Sequence, residues 1–128
     1  MALSTYLANA LQSAVLRNTS YTSPATVYVA LYTTDPTVAN SGTEVSGGSY
    51  ARVSAAFDAP SGTGITANTS LLTFPTASGS WGTVTHFGVL DASSGGNLLH
   101  FGALSVSKVV ATNDIVTVPA GDLDVTLS

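Results

Sequence analysis

The chain has 128 residues, enough for one domain with its own core, and nothing in its composition marks a second domain. It has no Cys, which excludes disulfides and thiol chemistry, and only 8% of its residues are charged, against roughly a quarter in ordinary soluble domains. A net charge of −4 with one Lys and two Arg leaves no basic footprint for nucleic acid, and no apolar run approaches the ~18 residues of a membrane span.

Ser and Thr take the place of charge, with 17 and 18 copies, joined by 12 Gly. A hydrophobic fraction of 45% argues against disorder. Thr, Val, Tyr and Phe suit a pleated, half-buried surface, so the composition leans to β structure. The lack of Cys fits synthesis in a reducing bacterial cytoplasm.

Leu3, Leu7, Leu11, Ala14 and Val15 recur at the spacing of one helical face, which predicts a helix from Ser4 to Leu16. Ser4 or Thr5 caps its start, and Asn18 with the following Thr-Ser run stops it. Ala8-Asn9-Ala10 superficially matches a signal cleavage site. No positive residue precedes it, however, and Ser4, Asn9 and Gln12 interrupt the apolar run, so the segment reads as a helix. The helix packs over one end of the β domain or docks on a partner.

After Pro24 the period changes to two. Thr26–Tyr32 is apolar on both faces, as a central strand is. A long polar loop, Thr33–Ser49, carries Asp35-Pro36 and Gly47-Gly48. Tyr50–Phe57 is the next strand, Asp58–Gly62 a turn, and Thr69–Phe74 another strand, stopped by Pro75. Gly62-Thr-Gly64 reads as turn chemistry. Thr83–Leu90 and Asn97–Ser105 form a hairpin around a loop containing Gly95-Gly96. Ile115–Val118 follows, then a Pro119-Ala-Gly121 turn, then a last strand with Leu123, Val125 and Leu127 facing in. The expected architecture is a single all-β domain over residues 1–128. It is a jelly-roll-like or Greek-key β-sandwich of seven or eight strands with one N-terminal α-helix.

No catalytic signature is present: no nucleophile elbow, zincin motif, phosphate loop or dinucleotide fingerprint. Asp122 and Asp124 share a strand face as an acid/base pair does, and as two solubilising charges also do. His86 and His100 stand on the two hairpin arms, near the register at which they lie opposite or diagonal on one face. No third ligand accompanies them, so a structural or subunit-contact role is expected and no metal or cofactor. Trp81 reads as a core anchor with its N–H bonded to backbone, the alternative being a sugar-stacking platform. Tyr50, Arg52, Trp81, His86 and His100 are the interface candidates, because aromatic and Arg side chains most often anchor contacts.

Three segments, TSPATVYVALYTTDPT (residues 22–37), GTEVSGGSYAR (residues 42–52) and FPTASGSWGTVTHFGVLDASSGGNLLHFGAL (residues 74–104), together with ALSTYLANALQSAVLRNTSY near the start, resemble a family of small tailed-bacteriophage virion proteins. Its members are commonly labelled phage tail fibre proteins, and similar compact β-sandwich proteins serve as trimeric cement on phage heads. The resemblance implies a non-enzymatic virion component. The absence of shaft repeats and the nearly charge-free surface favour a capsid cement (decoration) protein. On that expectation it is a homotrimer bound to the major capsid protein on the outer head surface, with no nucleic-acid or membrane partner. A tail fibre or baseplate component is the alternative, and a carbohydrate-binding module a more distant one.

Overall fold

The computed structural model describes residues 2–62 and 64–126. In chain order its elements are β1 (Ala2–Leu3), α1 (Thr5–Leu16), β2 (Val27–Tyr32), β3 (Val53–Ala55), β4 (Ile65–Ala67), β5 (Leu72–Thr73), β6 (Gly82–Leu90), β7 (Leu98–Val110), β8 (Thr117–Val118) and β9 (Asp124–Thr126). The domain is all-β with one short N-terminal helix.

Ser4 sets the helix start. Its backbone is extended and its hydroxyl oxygen accepts from the Leu7 N–H at 3.1 Å, satisfying a donor the first turn leaves open. The same hydroxyl donates to the Leu98 carbonyl, and the Ser4 N–H donates to Leu99 at 2.9 Å. One residue thus caps the helix and ties it to the sheet. At the other end Asn18 takes a left-handed backbone (φ 52°), and the Arg17 and Thr19 N–H groups both return to the Ser13 carbonyl. Of the expected apolar face only Leu7 is buried; Val15 and Leu16 are 77% and 74% exposed.

A five-stranded antiparallel sheet in the order β1-β7-β6-β2-β3 forms one layer. Two ribbons, β4 with β9 and β5 with β8, lie across its inner face. Val29, Leu31 and Val84 from the sheet meet Leu72, Phe74 and Leu123 from the other layer, with Trp81 and Val110 closing the core. The opposite face carries a smaller cluster of Ala30, Tyr32, Leu90 and Leu98 with Phe101. The 33–43 loop reaches that side: the Tyr32 hydroxyl donates to Asn40 Oδ1 at 2.9 Å, and the Thr5 N–H donates to the Val38 carbonyl. Cover on both faces is why both alternating sets of β2 are apolar.

The differences from expectation have physical causes. The strand expected over Tyr50–Phe57 pairs regularly only at Val53–Ala55, because Tyr50 and Arg52 turn their side chains to other work. Thr69–Phe74 and Ile115–Val118 shorten to β5 and β8. β4 lies between the glycine turn at 62–64 and the strand expected from Thr69, where no strand is expected, and is held by pairing Ile65, Thr66 and Ala67 with β9. β7 continues to Val110, past the expected end at Ser105. In β9, Val125 faces in as expected, just after the buried Leu123; Leu127, and Thr63 of the glycine turn, lie outside the described residues.

Candidate functional site

β2 outruns β3: pairing stops at Val29, leaving the Leu31 N–H and C=O facing out from that side. The 33–49 loop satisfies them. The Val45 N–H donates to the Leu31 carbonyl at 2.9 Å, and the Tyr50 hydroxyl oxygen accepts from the Leu31 N–H at 3.1 Å. The same Tyr50 hydroxyl donates to Glu44 Oε2 at 2.7 Å. Arg52 completes the cluster with a fork onto Glu44, Nε to Oε2 and a terminal nitrogen to Oε1, both at 2.8 Å. Its other terminal nitrogen donates to the Ala92 and Gly95 carbonyls, each at 2.8 Å. One guanidinium therefore joins the long loop, the β3 segment and the β6–β7 hairpin loop.

The Arg52 side chain is only 8% exposed and that of Glu44 25%. Burial pushes the Glu44 carboxyl up, but the hydrogen bonds from Arg52 and Tyr50 outweigh it, and its pKa lies below the ordinary value. The Arg52 pKa is raised, first by its hydrogen bond to Glu44. Burial, and then the bond to Glu44, push the Tyr50 phenol well up. Tyr32 is pushed up to about 12 by burial and the nearby Glu44 charge.

Trp81 is an anchor, as expected. It is 4% exposed, and its Nε1–H donates to the Gly48 carbonyl at 2.8 Å. The Tyr50 and Trp81 rings meet edge to face, with centroids 5.3 Å apart. Gly48 has φ +55°, and a Cβ there would meet Trp81 Nε1 at 2.8 Å and the Gly79 carbonyl at 2.9 Å, so this turn requires glycine. The buried indole has no face free for a sugar.

Tyr50, Arg52 and Trp81 therefore come together, holding the chain's own loops in place. The two histidines do not join them or each other. His86 pairs with Ala103 and His100 with Val89, so the two lie on opposite faces of the sheet, and the opposite-or-diagonal placement is corrected. An extra residue, Leu99, is bulged between the Val89 and Leu90 pairings and shifts the register. His86 Nδ1 bonds Thr85 Oγ1 at 2.8 Å, and its Nε2 lies 4.0 Å from Asp35 Oδ2. Burial lowers the His100 pKa, and its Nδ1 is buried without a hydrogen-bond partner among the described residues. No group of three or more His, Asp or Glu is arranged to hold a metal among the described residues. The residue that sequence reasoning missed is Glu44. It is the chain's one Glu, eight positions before Arg52 in a chain nearly without charge, which is the signal available.

The geometry defines a β-sandwich module that uses its best polar side chains to rigidify loops and presents an outer surface of Ser, Thr and scattered apolar residues. The chain belongs to the family described as podophage GP4 fiber I protein gp80, whose model matches residues 2–126. It is a structural protein of a phage virion. No curated protein matches the chain.

Proposed function

We propose that this chain is a non-enzymatic subunit of a tail fibre, mounted on the tail of the virion and not on its head. The observation that carries this reading is the match to a fibre-protein family over nearly the whole chain. The Arg52 clasp agrees with a mechanical role, since it locks two loops to each other and to the β3 segment. The capsid-cement role expected above, with the major capsid protein as partner, draws no support from that match. Contacts to neighbouring virion proteins rest on apolar and hydrogen-bonded surface, because three basic residues sustain little electrostatic attraction. The test is a particle assembled without this protein. Lost adsorption to the host with a head that breaks at the same temperature supports the fibre reading; intact adsorption with a fragile head overturns it.

A further inference from the structure

β7 is an edge strand over most of its length. β1 pairs only with His100 and Phe101, and from Gly102 to Val109 the outer side of β7 has no strand partner among the described residues. At the same place the sandwich gapes. Between Val84↔Lys108 and His86↔Ala103, a single β6 residue, Thr85, faces four of β7, Leu104–Ser107. This irregularity leaves Leu104–Ser107 out of the regular ladder with β6 before pairing resumes at Lys108 and Val110 returns to the core. A groove of about 490 Å³ opens there, floored by Val84, Phe87 and Leu104 and walled on the far side by β8 and Leu123. Lys108 pairs with the buried Val84 and so lies on the inner face of the sheet; it and Val106 line the groove. The second layer does not reach over them, and Val106 is left 65% exposed. Val109, on the outer face, is 73% exposed.

The charges at the groove name its occupant. Lys108 sits on one rim and Asp122 and Asp124 on the other, and none of the three makes an ion pair among the described residues. We propose that this edge takes the same edge of a second copy of the chain, β7 pairing antiparallel with β7 about a two-fold axis. The two five-stranded sheets then become one. Each copy contributes the main-chain groups the other lacks, and each Val106 enters the partner's groove. The two-fold carries each Lys108 toward the carboxylates on the other copy's rim. A lone Lys on an open edge discourages pairing with arbitrary strands, and here the opposing carboxylates relieve it for one particular partner. This surface is separate from the Arg52 clasp, and the proposal holds whether the virion carries the protein on its tail or its head.

The purified full chain tests it, because the absence of Cys makes single-cysteine variants clean reporters. Ser105→Cys, Val106→Cys, Ser107→Cys and Val109→Cys, exposed positions across the proposed axis, are oxidised mildly beside Val15→Cys at the exposed helix end. One β7 position should cross-link to its own copy far faster than the helix control, since a disulfide needs Cα atoms about 5.5 Å apart. Light scattering should find a dimer, weakened about tenfold by Val106→Lys, equivalent to ~1.4 kcal/mol. Because Val106 is exposed, the variant's unchanged circular dichroism reports an intact fold. Three results overturn the proposal: β7 positions no faster than the control, a trimer insensitive to Val106→Lys, or a fast cross-link only at the helix end. Cross-linking of these cysteines solely to a different virion protein in the particle overturns it as well.

Discussion

Replacing Arg52 by Ala removes four hydrogen bonds at once, two to Glu44 and one each to the Ala92 and Gly95 carbonyls. Glu44 would keep only the Tyr50 hydroxyl. Because the guanidinium is nearly inaccessible, the relevant comparison is a broken buried pair, which costs ~3–5 kcal/mol, and not a surface ion pair at ~0–1 kcal/mol. A domain of this size unfolds with an entropy of about 0.27 kcal/mol per kelvin, so the loss lowers Tm by about 11–19 °C. The assay is thermal unfolding followed by fluorescence of the single, buried Trp81, which lies one ring from the clasp. Replacing both partners by neutral residues of similar volume, Glu44→Gln with Arg52→Met, should cost less than Arg52→Ala, because no charge is left stranded. A drop of under about 4 °C for Arg52→Ala, the size of a surface pair, would refute the reasoning.

The remaining predictions concern neighbouring features. Glu44 titrates below its unfolded value, so its contribution is complete above about pH 4.5 and is lost as pH falls through the folded value. Urea unfolding at pH 7 and pH 3 should therefore show a larger acid loss in the wild type than in Glu44→Gln; equal losses would contradict the assignment. Trp81→Phe strands the Gly48 carbonyl and should cost ~1–3 kcal/mol in urea unfolding. Ser4→Ala removes the helix cap and the tie to Leu98, lowering stability by ~1–2 kcal/mol; an unchanged midpoint would contradict the double role given to Ser4.

The features legible in the sequence are those where local chemistry and burial agree. Ser4 and the three- and four-residue spacing of Leu3, Leu7, Leu11 and Ala14 mark the helix, and Ser4 is its cap. The glycine-containing loop after Leu90 marks the hairpin, and Trp81 after its Gly-Ser turn is the anchor it reads as. What escaped depends on contacts distant in sequence. β4 has three residues between turn signals and exists through pairing with β9, nearly sixty positions away. The extension of β7 through Ser105-Val106-Ser107-Lys108 is exposed, so no burial alternation announces it. The histidine register depends on a bulged Leu99, invisible to a hairpin count made from the turn. Glu44 lies in a loop, where no periodicity assigns a direction, and only the folded position of Arg52 gives it a role. The resemblance to phage virion proteins was legible from whole segments, whereas the preference for the head rested on compactness and sparse charge, properties a fibre module shares.

The most direct measurement is to find the protein in the particle. Cryo-electron microscopy of the intact virion, with residues 2–126 fitted as a rigid body and Trp81 and the Arg52 clasp as landmarks, should place copies of the sandwich on the tail and leave the capsid lattice bare. Sandwich density repeated over the capsomers, with none at the tail, would contradict the account.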